Sequence, residues 1–277
     1  MATTFLILSD THDDAFPDPT SIPKVDVVLH CGDLTMIGGL SNYKKAIANI
    51  KALDAELKLV IAGNHDVSLD PKWWQGNLDE GEDDPDEPLK ALELFNAERA
   101  HGLFFLEEGT HKFTLSGNRT FSIYASPYTP EFNGYAFAYG PDEDRFGPGA
   151  REPISRSGID IVMTHGPPLL PSGYQLDINR EGDHCGCPML YEAIRQAKPK
   201  IHCFGHLHEG YGVQELSWGS AAGIETVGAV CRNPEEAVVA GNMGRTLLIN
   251  AAIMNHGGED NNKPWLVKLD LGCNLKA

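Results

Sequence analysis

Five short apolar runs in this chain end in histidine, aspartate or asparagine, and that repeated ending constrains the fold more than any other feature. Residues 5–8 run into Ser9-Asp10-Thr11-His12, and 25–29 into His30-Cys31-Gly32-Asp33. Residues 57–62 run into Gly63-Asn64-His65-Asp66, 159–163 into Thr164-His165-Gly166, and 201–204 into Gly205-His206-Leu207-His208. Short apolar runs bounded by turn residues read as strands. In an open α/β sheet, ligands bind outside the carboxyl ends of the strands. Five strand ends that each deliver a polar side chain therefore predict one crevice. Glycine at 32, 63 and 205 is expected to let the backbone turn sharply there, so that the following side chain points inward.

The rest of the pattern fits the same layering. Further β-rich runs lie at 121–124, 224–227, 246–249 and 265–269. Helical spacing appears in 43–53, where Tyr43, Ala46, Ile47, Ile50 and Leu53 share a face. It recurs in 89–100, through Leu92, Leu94, Phe95 and Arg99, and in 189–197 behind Pro188, a good first-turn residue. Strands alternate with helices early and dominate late, which predicts an α/β fold with sheet stacked on sheet. Without internal repeat or Gly/Ser linker, residues 1–277 read as one domain. A chain of 277 residues buries close to three quarters of its unfolded surface, so its core needs no disulfides.

Six cysteines without a secretion signal read as free thiols in a reducing compartment. No apolar run approaches the roughly eighteen residues that span a bilayer, and residues 1–10 read as a strand rather than a leader. A cytoplasmic protein with no membrane partner is expected. The formal net charge of −17 repels a phosphate backbone and disfavours a nucleic-acid polymer as partner. Residues 79–87 hold seven of the acids and read as a solvated surface loop in preference to a weak cation site. Residues 134–149 read as a surface loop suited to walling a cleft.

The donors at the strand ends carry the chemistry. Asp10 and Asp33 offer carboxylates, Asn64 an amide oxygen, and His12, His165, His206 and His208 imidazoles; none is a thiolate. That is too many for one tetrahedral zinc, but it suits two octahedral-leaning ions that share a bridge, and Asp33 is the natural bridging carboxylate. Each piece alone has an ordinary explanation. Asp-x-His and Gly-Asp occur as caps and turns, Gly-Asn-His-Asp as a turn with left-handed asparagine, and His-x-His as a sheet-face pair. The order of all five, each at a strand end, sets this chain apart.

That order resembles the calcineurin-like metallophosphoesterase superfamily, whose signature is D-x-H, G-D, G-N-H-[DE], a lone H and G-H-x-H. Every position of it is present between residues 10 and 208. The stretches 60–66, 164–168 and 204–212 look like the branch of metallophosphoesterase-domain proteins found in animals and fungi. The resemblance implies a four-layer α/β/β/α sandwich of two mixed sheets flanked by helices. It also implies two divalent ions, with manganese or iron favoured and magnesium, zinc or nickel compatible. Asp10, His12 and His208 would hold the first, and Asn64, His165 and His206 the second, with Asp33 between them. His65 would face the substrate phosphate or give a proton to the leaving alkoxide, with Asp66 behind it orienting the ring. A water shared by the ions would attack phosphorus, so Ser9, Thr11 and Thr35 read as turn hydrogen-bonders and Cys31 and Cys203 as buried strand residues.

The expected substrate is a small phosphoester. No arginine cluster stands near the motifs to clamp a dianion, which favours a diester, such as a cyclic nucleotide, over a monoester. A monoesterase on a small metabolite and a metal-binding scaffold with residual activity are the rival readings. Tyr128, Phe132, Asn133, Tyr135 and Phe137 would stack on a flat group or anchor a loop. Residues 183–188 read as a turn and helix cap in preference to a segment reaching the cleft.

Overall fold

The computed structural model describes residues 2–219, 229–233, 238–240, 244–255 and 261–271. Its strands are β1 (Ala2–Leu8), β2 (Val25–His30), β3 (Ala55–Val60), β4 (Leu103–Phe105), β5 (Gly109–Leu115), β6 (Arg119–Ser126), β7 (Thr129–Pro130), β8 (Ala138–Tyr139), β9 (Ile161–Thr164), β10 (Ile201–Phe204), β11 (Gly212–Ser217), β12 (Val238–Ala240), β13 (Arg245–Asn250) and β14 (Trp265–Asp270). The helices are α1 (Leu40–Ala52), α2 (Pro71–Asn77), α3 (Glu87–Asn96) and α4 (Pro188–Ala197). Two six-stranded sheets form, in the orders β12-β14-β1-β2-β3-β4 and β11-β13-β10-β9-β6-β5, and β7 pairs β8 apart from them. Both are mixed: β1, β2, β3 and β4 run parallel while β14 opposes β1, and β6, β9, β10 and β13 run parallel while β5 and β11 oppose their neighbours.

The two-residue period of a strand sends alternate side chains to opposite faces, and here both faces are covered. Phe5, Ile7, Val27, Leu29 and Leu59 of the first sheet meet Phe121, Ile123, Ile161, Ile201 and Ile249 of the second in one continuous core. On the outer face of the first sheet, Val60 packs with Ile47 and Ile50 of α1 and with Ala91 and Phe95 of α3. On the outer face of the second, Tyr124 and Val162 pack against Leu190, Ala193 and Ile194 of α4. The result is the four-layer α/β/β/α order. Each fully buried leucine, isoleucine or phenylalanine of these layers contributes about 1.5–3 kcal/mol, and no disulfide joins the described cysteines.

The element pattern departs from the sequence expectation at several points. The first helix starts at Leu40, three residues before its buried face, because Gly39 at φ 96° caps it. Helix α3 begins at Glu87, so the last acid of the 79–87 stretch is helical, and it stops at Asn96 rather than running to residue 100. A separate short turn, Arg99–His101, follows and closes on Gly102 in the left-handed region. Strands β4, β5, β7, β8, β11 and β12 and helix α2 are additional. The run at 224–227 lies outside the described residues.

The strands that carry the motifs lie side by side at one end of the sandwich. Just beyond them the sheets are stitched together: Ile253 N–H donates to the Ser9 carbonyl at 2.9 Å, and His206 N–H donates to the Asp10 carboxylate at 3.1 and 3.0 Å. Those bonds bring the end of β1 against the ends of β13 and β10, and Asp10 N–H, donating to the Gly32 carbonyl at 2.9 Å, keeps the end of β2 alongside.

Candidate metal centre

The seven donors converge as their placement at strand ends requires. Asp10 and His12 follow β1, Asp33 follows β2, Asn64 follows β3, His165 follows β9, and His206 and His208 follow β10. Asp10, His12 and His208 bring ligand atoms within 4.8 Å of one another, as do Asp10, Asp33 and His165. His208 Nε2 stands 3.2 Å from Asp10 Oδ1. Asn64 Oδ1 stands 2.9 Å from His165 Nε2 and 2.8 Å from His206 Nδ1. Asp33 Oδ2 lies between the groups, 3.6 Å from His12 Nε2 and 3.4 Å from His165 Nε2.

The backbone is bent to achieve this. Asp10, His12, Asp33 and His206 adopt left-handed φ values of 54°, 39°, 53° and 68°. Such conformations cost of order 1–3 kcal/mol each in non-glycine residues and persist where the surroundings over-determine them. Gly32, at φ 99°, turns the chain as expected. Gly63 and Gly205 serve another purpose, since neither has positive φ. A Cβ at Gly63 would lie 2.2 Å from Asp33 Oδ1, and one at Gly205 would lie 2.0 Å from Asp10 Oδ2. Those glycines make room for the carboxylates.

Outer hydrogen bonds fix which ring nitrogen faces the cluster. His12 Nδ1 donates to the Thr35 carbonyl at 3.3 Å and His165 Nδ1 to the Cys31 carbonyl at 2.9 Å, so each presents Nε2 inward. Asp10 and Asp33 are fully or nearly fully buried. Burial opposes their charge, but His208 beside Asp10 and His165 beside Asp33 hold both carboxyls well below the usual range. His165 answers in kind: against burial, Asp33 pushes it up to about 9. His206, desolvated and facing charged His165, falls to about 4. Two buried carboxylates that draw protons onto neighbouring rings are a site built for positive charge. With hard or borderline oxygen and nitrogen donors and no thiolate, the set fits divalent ions.

The donors form the floor of a cavity of about 490 Å³, which His12, Asp33, Asn64, His206 and His208 line. His65 lines it too; its Nδ1 donates to the Met36 carbonyl at 2.7 Å and its ring packs 4.5 Å from Tyr135. Asp66 is not behind that ring. Its carboxylate accepts the N–H groups of Gly63, Leu34 and Thr35 at 2.8, 3.1 and 3.0 Å and the Thr35 hydroxyl at 2.9 Å. Its placement is a correction to the expected role: the side chain folds back under the loop because three backbone donors there would otherwise be buried unpaired. Burial and the nearby Asp33 push its carboxyl up to about 7.

The aromatic segment divides. Phe132, Asn133 and Tyr135 line the cavity, whereas Phe137 packs into the core under α1 and α3, and Tyr128 lies beneath the Arg145 guanidinium at 3.2 Å. The 183–188 stretch also divides. Cys187 Sγ accepts from Leu190 N–H as the cap of α4, His184 Nδ1 pairs with buried Asp177 at 2.7 Å, and Cys185 lines the cavity. Sequence reasoning missed Asn179, Arg180, Glu181 and Glu209, which also line it. The signal available was the Asn-Arg-Glu-Gly turn at 179–182, a tight loop between two motif blocks. Ser9, Thr11 and Thr35 bond Gly32, His30 and Asp66, and Cys31 and Cys203 are fully buried between the sheets.

Comparison with known proteins agrees with this geometry. The chain is 33% identical over 216 residues to metallophosphoesterase domain-containing protein 1 of Homo sapiens, covering 76% of this chain and 62% of that protein, with the same figures for Mus musculus. A UPF0046 protein of Caenorhabditis elegans is 29% identical over 76% of this chain and 70% of its own length. The chain thus spans less than two thirds of the mammalian relatives. One solved structure superposes with a TM-score of 0.52 at 14% identity, over 85% of this chain and 91% of that one, which bears on the fold alone. No helix among the described residues is long and apolar enough to cross a membrane. The model of the calcineurin-like phosphoesterases matches residues 3–210, the span that holds every donor described above, and the chain belongs to that family.

Proposed function

We propose that this chain is a dinuclear-metal-dependent phosphoester hydrolase that acts on a small diester. The observation that carries the reading is the convergence of seven oxygen and nitrogen donors from both sheets, five of which line one cavity with Asp10 and His165 buried against them. Asp10, His12 and His208 would hold one ion and Asn64, His165 and His206 the other, with Asp33 placed between the two groups. Bound divalent ions supply charge to the non-bridging phosphoryl oxygens and acidify water, and phosphoryl transfer depends chiefly on such electrostatics and positioning.

The protein's own groups do the rest. The bonds from His12 and His165 to backbone carbonyls keep their Nε2 atoms aimed inward, so the donors are pre-organised. His65 donates its Nδ1–H to the Met36 carbonyl and turns Nε2 to the cleft; as the doubly protonated ring it gives the Nε2 proton to the departing alkoxide and is left neutral. Among the described residues Arg180 is the sole Lys or Arg lining the cavity, and its Nε already pairs with Glu209 at 2.9 Å. A monoester dianion therefore finds no uncommitted guanidinium, which favours a monoanionic diester, a cyclic nucleotide being one such compound. Manganese or iron suits the donor set, and the acidic chain acts on small molecules in the cytoplasm as a single domain.

The test is hydrolysis of bis(p-nitrophenyl) phosphate by metal-stripped protein reloaded with Mn²⁺, beside Asp33→Asn and p-nitrophenyl phosphate. Metal-dependent diester turnover that falls at least about a hundredfold in Asp33→Asn is expected. Faster monoester turnover would reverse the diesterase assignment. Folded protein inert toward both esters with every divalent ion would overturn the hydrolase.

A further inference from the structure

Four large apolar side chains are exposed among the described residues, and three of them, Met36, Ile37 and Phe132, stand on the two loops beside the metal cavity. On a surface that carries a net charge of −17, that concentration needs an explanation. Phe132 is 55% exposed, yet it is held in place. Its ring stacks on Tyr135 at 6.5 Å and 11° and meets His206 edge-on at 6.4 Å. Tyr135 in turn packs on His65.

The loop that bears these rings is latched to α2 by two bonds. Trp73 Nε1–H donates to the Gly134 carbonyl at 2.7 Å, and Phe137 N–H donates to Asp70 Oδ2 at 2.8 Å. The other oxygen of Asp70 caps α2 by accepting from Lys72 and Trp73 N–H. At and beside the latched residues, Asn133, Gly134 and Phe137 take φ values of 50°, 72° and 52°. A loop with so many left-handed residues holds its shape only if it is tied down, and this one is tied twice. Its exposed ring is thus a rigid surface beside the floor, one that binds without first being ordered.

Resting on the hydrolase reading above, we propose that Phe132, with Met36, is a specificity-determining wall that selects phosphoesters bearing a flat, apolar arm next to phosphorus. Phe132 lines the same cavity as His206 with the two ring centroids 6.4 Å apart, so its ring stands beside any ester held at the donors. Met36 extends the apolar surface from the loop whose carbonyl pins His65. A ring of the substrate laid on Phe132 buries both faces and gains the offset or edge contact that aromatic pairs prefer. A small or strongly polar arm gains nothing there.

The experiment uses two diesters with the same p-nitrophenolate leaving group, the second arm being methyl in one and 1-naphthyl in the other. Their kcat/KM values are compared in the Mn²⁺-loaded full chain, in Phe132→Ala and in Phe132→Trp. In parallel, calorimetry reads the binding of methyl phosphate and 1-naphthyl phosphate, with and without metal. The wild type is expected to prefer the naphthyl arm. Phe132→Ala should lower the naphthyl-to-methyl ratio by roughly fivefold, and Phe132→Trp should keep it. No naphthyl preference in the wild type, or equal losses for both arms in Phe132→Ala, would overturn the wall while leaving the hydrolase intact. Absence of all turnover, with naphthyl phosphate binding still lost in Phe132→Ala, would overturn the hydrolase and leave the wall. A wild-type dimer that Phe132→Ala dissociates would replace the proposal with self-association.

Discussion

The Asp66 carboxylate holds the Thr35 N–H and hydroxyl at 3.0 and 2.9 Å, while the adjacent His65 turns its Nδ1 to the Met36 carbonyl at 2.7 Å. Two neighbours in sequence therefore serve the site by separate routes. Asp66 ties the turn carrying Asn64 to the loop carrying Asp33, and His65 is oriented by the Met36 carbonyl and the Tyr135 ring packed on it.

That separation predicts different failures for the two residues. Asp66→Ala leaves four buried donors without their acceptor and should cost about 3 kcal/mol or more, read as a lower urea midpoint. In Asp66→Asn, whatever activity survives should keep the wild-type ratio of p-nitrophenyl to alkyl ester turnover. His65→Gln should change stability little and lower alkyl ester turnover at least about tenfold more than p-nitrophenyl turnover, since nitrophenolate leaves without a proton. A shared effect on the ratio would mean that Asp66 works through the His65 ring after all.

Gly205→Ala tests the steric role of the strand-end glycines. Its new Cβ would lie 2.0 Å from Asp10 Oδ2 and 2.2 Å from Ser9 Oγ. The Asp10 carboxylate must swing away, taking with it the contact to His208 and the two bonds it accepts from His206 N–H at 3.1 and 3.0 Å. Displacing supports of this kind costs about 10–100-fold in metal affinity. Calorimetric titration of Mn²⁺ into stripped protein reads that loss directly, and unchanged affinity would mean that the carboxylate tolerates the methyl group.

How far the sequence could be read follows from which interactions are local. Strands β1, β2, β3, β9 and β10 are largely buried on both faces, so they appear as short, mostly apolar runs whose ends are marked by Gly and polar donors. Strands β5 and β11 escaped because His111, Lys112, Gln214 and Glu215 interrupt their patterns, and their pairing partners β6 and β13, not their own residues, define them. The donor set was legible because each ligand sits at a strand end. Asp66 was misplaced because the loop donors it serves at Leu34 and Thr35 lie 32 and 31 residues away. The latch from Trp73 to Gly134 spans 61 residues and leaves no trace in either segment's composition.

His202 gives the pH dependence of stability a specific source. It is fully buried on β10, and its Nε2 stands 3.0 Å from the Thr164 hydroxyl, which itself donates to the Gly166 carbonyl. Nε2 must therefore carry the proton, and Nδ1 has no partner. Desolvation lowers the imidazole from 6.5 to about 3, so the folded chain keeps it neutral where the unfolded chain protonates it. A depressed histidine makes the unfolded state the greater proton binder, and stability falls as pH drops from 6.5 toward 3. The slope this residue adds is about 1.4 kcal/mol per pH unit within that window. His202→Gln keeps an N–H for Thr164 but cannot titrate, so its urea midpoint should decline less steeply than the wild type's between pH 6 and pH 4, roughly the centre of the window. Parallel declines would show that His202 remains accessible to protons in the folded chain.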